Sequence, residues 1–239
     1  MIETTTGKFE LGEASLAYEM AGSGDPLVLV HAGFLDSRMF DAQWQMLAER
    51  FRVVRYDMLG FGESSPVTGP TCRRENLWQL LDHLGIERAH FLGCSMGGEI
   101  VLDLALEHPE RARSLTLVNA APGGFQLEGE PPQHMMEMFE ALGKGDSQRA
   151  SELQMRIWLE GEQRKPGDVN GELRQRALTM NRIPVEQRTF LIADAQPANP
   201  LDPPAVTRLQ EVSCPVFIVV GALDHPEVLR AGDLMAATL

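Results

Sequence analysis

The chain has 239 residues, 44% of them hydrophobic, and a formal net charge of −13. That length accommodates one large α/β domain or two small ones, with an ordinary globular share of apolar residues. The acidic balance argues against nucleic acid and against anionic membranes, both of which select basic surfaces.

No apolar run is long enough to span a bilayer, and the segment from Met1 to Lys8 lacks the basic and apolar regions of a signal peptide. Cys72, Cys94 and Cys214 are odd in number and widely spaced, so neither a disulfide framework nor a metal cluster is expected. Cytoplasm is the default compartment.

In chain order, Ser15–Met20 alternates like a strand and ends in the turn cluster Gly22-Ser23-Gly24-Asp25-Pro26. Leu27-Val28-Leu29-Val30 is a continuous apolar run, as in a strand buried on both faces. Met39–Arg50 reads as a helix and Phe51–Tyr56 as a strand ending at Asp57. Arg74–Leu84 carries apolar residues at helical spacing, with Gly85 as its stop. His90-Phe91-Leu92 is a strand, Glu99–Leu106 a helix and Ser114–Val118 a further strand. Val216–Val220 is the last clear strand and Glu227–Leu239 the last helix. Strands alternating with helices predict a mainly parallel sheet flanked by helices, with ligands beyond the carboxyl ends of the strands.

From Phe125 to Pro204 this rhythm breaks. The segment has no strand candidate but four helical pieces, Pro132–Leu142, Ser147–Leu159, Gly171–Arg182 and Val185–Ala193. The organisation expected is a core of residues 1–124 and 205–239 with an inserted helical cap, residues 125–204. Flexible apolar residues such as Met135, Met136 and Met180 pack that cap, and a minority of them line a site for a partly hydrophobic ligand.

Gly93-Cys94-Ser95-Met96-Gly97 lies between a strand-like and a helix-like run, the context in which G-x-S-x-G forms a nucleophile elbow. Ser95 is the candidate nucleophile, and Cys94 beside it is a packing residue. An activated serine needs a base and an acid that orients the base, in the chain order serine, acid, histidine. Asp224 follows the Val216–Val220 strand and so sits at the same sheet edge as Ser95; its alternative role is to cap the next helix. The oxyanion formed on attack needs N–H donors. One is the backbone N–H of Met96; the other comes from the loop His31-Ala32-Gly33-Phe34. Counting does not decide between Gly33 and Phe34, though Gly33 lets backbone approach most closely. His31 is read as the support of this loop.

These elements resemble the α/β-hydrolase family: His31-Ala32-Gly33 after the early strand, Asp57-Met58-Leu59-Gly60-Phe61-Gly62-Glu63-Ser64 after the next, Gly93–Gly97, and Gly221–Asp224. Together they cover nearly the whole chain in family order. The second stretch is similar to the family's D-x-x-G-x-G-x-S loop, with Met58 where an arginine is usual. Phe34–Asp41 and Trp158-Leu159-Glu160-Gly161 are similar to a subgroup of carboxylesterases and enol-lactone hydrolases. The resemblance implies acyl transfer from a small-molecule ester or lactone to water, with no metal or organic cofactor. Carbon–carbon bond hydrolysis and cofactor-free peroxidase-like activity use the same serine and stay open. Epoxide and haloalkane hydrolysis, which use an aspartate nucleophile, are disfavoured by Ser95.

The family's histidine follows one further strand beyond the acid, and no histidine stands there. The six histidines are 31, 83, 90, 108, 134 and 225, of which His225 and His134 are the substitutes left. Two expectations compete. The chain is a piece of a longer hydrolase, or it is a shortened form serving as a ligand-binding or scaffold module. On either view the chain alone is a poor catalyst, and its last strand is a sheet edge open to homo-oligomerisation.

Overall fold

The computed structural model describes every residue except Met1 and Pro166, which lie outside the described residues. Seven strands form one sheet: β1 (Thr4–Leu11), β2 (Ala14–Ala21), β3 (Pro26–Val30), β4 (Arg52–Tyr56), β5 (Ala89–Cys94), β6 (Ala112–Val118) and β7 (Val216–Val219). Their spatial order is β1-β2-β4-β3-β5-β6-β7. β1, β2 and β4 pair antiparallel, and the strands from β4 through β7 pair parallel. Helices α1 (Asp41–Ala48), α2 (Arg73–His83) and α3 (Met96–Glu107) supply the crossovers, and α7 (Pro226–Thr238) follows β7. This is the α/β architecture that the strand–helix alternation predicts.

The central strands carry the least alternating sequence because helices cover both faces. Val28, Leu29 and Val30 of β3 are fully buried. On one side the sheet packs Val28, Val30, Phe91 and Leu117 against Leu77, Leu80, Val101 and Leu104 of α2 and α3. On the other, Leu27, Leu29 and Val53 meet Trp44 and Phe40. Strand order reverses at β3, which has β4 on one side and β5 on the other. The carboxyl ends of β3 and β5 therefore flank the crevice in which such sheets bind ligands.

β1 is an element the sequence reading lacks. Its run Thr4-Thr5-Thr6-Gly7-Lys8 has no apolar alternation, and its pairing with β2 supplies what the local pattern does not. Gly7 stands opposite Tyr18, and a Cβ there would lie 2.4 Å from the Tyr18 ring. The aromatic ring thus covers the glycine across the ladder.

The segment between β6 and β7 is helical: α4 (Met135–Lys144), α5 (Ser147–Gln154) and α6 (Gly171–Glu186), with π-helical turns at Met155–Glu160 and Phe190–Asp194. The expected break between Arg182 and Val185 does not occur, and α6 runs through Pro184. Pro184 sits in the last turn, where it forgoes the N–H donation to the carbonyl four residues back, and the helix continues for only two residues beyond it. The cap has its own apolar cluster of Met138, Leu142, Ala150, Leu153 and Val185. A second cluster, Met155, Ala177 and Met180, joins it to Leu35. Thr189 Oγ1 donates to the Gly60 carbonyl at 2.8 Å, and Arg73 holds Asp194 through two bonds of 2.7 and 3.0 Å.

β7 is the last strand of the sheet, and Phe217 on its outer face is 65% exposed. Among the described residues no helix is long and apolar enough to cross a membrane.

Two substitutions test this packing. The buried Asp57 carboxylate accepts the Ser37 N–H at 2.9 Å and the Glu63 N–H at 2.8 Å, so Asp57→Ala strands two donors. We expect a loss of about 2–5 kcal/mol in urea unfolding, with Asp57→Asn recovering part of it. A Cβ at Gly97 would stand 2.2 Å from the Val30 carbonyl oxygen, whereas one at Gly143 meets nothing within 4 Å. Gly97→Ala should cost at least about 3 kcal/mol or abolish folding, while Gly143→Ala should be neutral or stabilise by up to about 1 kcal/mol, both read by thermal unfolding.

Candidate active site

β5 turns into α3 within a single residue. Ser95 is that residue, with φ 52° and ψ −119°, a conformation that an L-residue adopts only when its surroundings enforce it. Its N–H donates to the Val118 carbonyl at 2.9 Å, and its own carbonyl accepts the Gly98 and Glu99 N–H groups at 2.8 and 3.2 Å. The glycines are required by close approach. A Cβ on Gly93 would lie 2.3 Å from the Gly97 carbonyl oxygen, and one on Gly98 would lie 2.4 Å from the Ala120 Cβ. Ser95 itself is exposed at the head of α3, where the helix dipole favours negative charge.

The loop after β3 reaches the same place. A Cβ on Gly33 would meet Met96 Cε at 2.9 Å, so loop and elbow are in contact. Among the described residues the N–H groups of Gly33, Phe34 and Met96 donate to no protein acceptor. The Phe34 carbonyl is held by Asn181 Nδ2 of α6 at 2.9 Å. Gly33 also borders a recess with Phe190 and Leu191 of the cap.

His31 is fully buried between two loops. Its Nε2 accepts the Met58 N–H at 3.0 Å, which leaves the proton on Nδ1, where it is donated to the Ala32 carbonyl at 2.9 Å. Both ring nitrogens are committed, and burial pushes the ring's pKa below 6.5 although Asp57 pulls the other way.

Asp224 lies in the turn after β7. Its N–H donates to the Gly221 carbonyl at 3.0 Å, and its Oδ1 accepts the His225 N–H at 2.7 Å. Burial first, and then the nearby Asp224 charge, push the Cys94 thiol up to about 11, so Cys94 is an inert thiol neighbouring both Ser95 and the acid. Asn119, with φ 46°, connects the two loops: its N–H donates to the Val219 carbonyl at 2.8 Å and its Oδ1 accepts the Gly221 N–H at 2.8 Å. Sequence reasoning passed over Asn119. A signal was present, since an asparagine directly after a strand tolerates positive φ and caps its neighbours.

None of the described imidazoles hydrogen-bonds to Ser95 or to the Asp224 carboxylate. His225 Nδ1 accepts the Glu227 N–H at 3.2 Å and caps α7, and His134 Nδ1 lies 3.5 Å from Glu137. His90 Nδ1 meets Ser114 Oγ at 2.7 Å. His83 stacks on Phe9 and His108 on Trp78. Among the described residues no group of three or more histidine, cysteine, aspartate or glutamate side chains is placed to hold a metal ion.

The family described as alpha/beta hydrolase fold matches residues 25–238. A protein provisionally named carbamate hydrolase RutD, from Azorhizobium caulinodans, is 40% identical over 119 residues, 48% of this chain and 45% of its own length. The pimeloyl-[acyl-carrier protein] methyl ester esterase of Aeromonas hydrophila is 31% identical over 161 residues, 65% of this chain and 62% of its own. The chain spans about half the length of the curated relatives it matches. A solved hydrolase structure from Pseudomonas aeruginosa PA01 superposes with a TM-score of 0.74 at 26% identity, covering 98% of this chain and 86% of that one. With a parallel sheet, a strained serine where β5 enters α3, and a family match over nearly its whole length, the chain belongs to the alpha/beta hydrolases.

Proposed function

We propose that this chain carries the acyl-transfer centre of a serine hydrolase acting on small-molecule carboxylic esters or lactones. Ser95 Oγ attacks the carbonyl carbon, and the carbonyl π electrons move onto oxygen, where the N–H of Met96 and that of Gly33, with Phe34 next to it, receive the negative charge. The serine proton passes to an imidazole beside Asp224, a base that none of the described histidines supplies, and then to the leaving alcohol as the carbon–oxygen bond breaks. Water repeats the sequence on the acyl-enzyme and frees the acid. His31 holds the oxyanion loop without exchanging protons. Phe190 and Leu191 beside Gly33 favour an apolar acyl part. The observation that carries this reading is the strained, exposed Ser95 on the N-terminus of α3, facing a loop whose N–H groups are free.

Two relatives carry the names of a carbamate hydrolase and a methyl ester esterase, and carbamates and esters alike present a carbonyl carbon to a nucleophile. A second reading, a ligand-binding module of the same fold, is favoured by one observation: no described imidazole reaches Ser95 or the Asp224 carboxylate.

Free imidazole separates the two. We expect p-nitrophenyl butyrate hydrolysis by the full chain to be slow, and imidazole to raise it about 10- to 100-fold above the same mixture with Ser95→Ala, since a positioned general base is worth about 10²–10⁴. Equal rates for wild type and Ser95→Ala at every imidazole concentration would reject the hydrolase reading in favour of the binding module. The role of His31 has its own readout. Its folded pKa is depressed, so the stability it contributes is present above 6.5 and is lost only as acid protonates the ring. In proton NMR the His31 signal should stay that of a neutral imidazole as pH falls through 6.5.

A further inference from the structure

Behind the elbow, between α3, the start of α2, the loop after β6 and the return segment of the cap, lies a cavity of about 390 Å³. One wall is apolar, with Ile100, Pro197, Leu201 and Pro204. The other holds the carboxyls of Glu99 and Asp103, one helical turn apart on α3. Both carboxyls converge on Gly123. A Cβ there would lie 3.3 Å from Glu99 Oε1 and 3.4 Å from Asp103 Oδ1. Asp103 Oδ1 is buried and has no hydrogen-bond partner.

The arginines around the cavity are already committed. Arg73 holds Asp194 with Nε at 2.7 Å and Nη2 at 3.0 Å, and its Nη1 donates to the Leu59 carbonyl at 3.1 Å. Arg74 holds Glu107 at 2.7 and 3.3 Å and donates to the Asn199 carbonyl at 2.6 Å. Arg208 pairs with Glu211 and donates to the Leu106 carbonyl at 3.2 Å. Glu99 and Asp103 therefore stand on the wall of the chamber with no cation in hydrogen-bonding contact, although Arg74 and Arg208 act on Asp103 from a distance.

We propose that this cavity is a binding site for an amphipathic organic amine, whose ammonium group sits between Glu99 and Asp103 at the Gly123 gap and whose apolar body lies against Ile100, Pro197, Leu201 and Pro204. An ammonium has three donors and meets both carboxylates at once, whereas an alcohol brings one donor and a carboxylate brings repulsion. The site lies beside Ser95 without including it; Met96 is the residue common to both.

The charge state of the wall follows its surroundings. Protein encloses Glu99 on most sides although solvent reaches it, and that enclosure, with the charges of Asp103 and Asp194, pushes its carboxyl up to about 7. Burial pushes Asp103 up to about 6; Arg74 and Arg208 pull it down and Glu107 pushes it up. Amine binding releases these protons, so it is strongest on the alkaline side of both values.

Titration calorimetry of the full chain with hexylamine, 1-hexanol and hexanoate tests the site. We expect hexylamine to bind at about pH 8 and to weaken by about 10-fold or more at about pH 5, where both carboxyls are protonated. Neither hexanol nor hexanoate should match it. Glu99→Gln with Asp103→Asn should lose amine binding with an unchanged or higher melting temperature. Gly123→Ala should weaken it, because the new methyl fills the gap. Ser95→Ala should bind hexylamine as the wild type does, so this test stands or falls separately from that of the hydrolase reading. Hexanol or hexanoate binding as tightly as the amine, retention of amine binding in the double variant, Mg²⁺ displacing the amine, or no amine binding at all would each overturn the proposal.

Discussion

Where β5 becomes α3, the backbone of Ser95 is held in a conformation that costs of order 1–3 kcal/mol, and the site is arranged around the contacts that hold it there. Three hydrogen bonds at Ser95 fix the turn, but they can form only because α3 sits directly on the end of the sheet. At Gly97 the backbone lies so close to β3 that an added Cβ would be 2.2 Å from the Val30 oxygen. A single methyl would push the helix outward and break the bonds that oppose the strain. The same close approach brings Met96 against Gly33. The oxyanion donors proposed for Met96 and Gly33 would thus owe their spacing to backbone packing on the sheet beneath them.

The loops at the carboxyl edge are tied to one another by polar groups. His31 joins the loop after β3 to the loop after β4. Asp57 joins the turn at Ser37 to the turn at Glu63. Asn119 joins the loop after β6 to the acid-bearing loop after β7. His31 and Asp57 each satisfy backbone groups of two separate segments, and Asn119 does so with its side chain and its own N–H together, so movement of one loop leaves a donor or acceptor of the other unpaired. Buried polar networks of this kind cost little when complete and much when one member is lost. This explains why the residues with the most commitments, His31 and Asp57, are the ones least free to take part in proton transfer.

The parts legible from sequence are those whose physics is local. β3 reads as a buried central strand because four consecutive apolar residues, Leu27 to Val30, say so, and Ser95 stands out because a strand, a glycine-flanked turn and a helix follow one another between Ala89 and Glu107. β1 was illegible because its strand character comes from β2, with Phe9 and Leu11 its only large apolar residues. Pro184 misled because a proline is a local break signal, whereas the last turn of α6 is held by the packing of Val185 into the cap. The bond between Arg73 and Asp194 joins residues 121 positions apart and leaves no trace in the order of residues. Asp224 shows the same limit within the site: its place at the sheet edge follows from the strand before it, whereas its neighbour Asn119 comes from another loop entirely.

α3 also shows how charge is distributed once packing has been settled. Glu99, Asp103 and Glu107 form an acidic stripe at four-residue spacing, an arrangement in which each like-charged pair opposes the helix by a few tenths of a kcal/mol. Glu99 lies in the first turn, where the helix dipole favours a negative charge, and Glu107 ends the helix, where the dipole opposes it by about 0.3–1 kcal/mol. The compensating cation stands where it is needed: Arg74, buried on α2, binds Glu107, whose pKa falls as a result. Asp103, in mid-helix, has neither the dipole nor a bound arginine, and burial raises its pKa to about 6. The helix that presents Ser95 thus carries two weakly compensated carboxyls, Glu99 one turn and Asp103 two turns beyond Ser95, on the wall of the cavity behind the elbow. Solvent reaches Glu99 and Glu107, whereas Asp103 is half-buried between α2 and the returning cap, a costly place for a carboxyl whose Oδ1 has no hydrogen-bond partner.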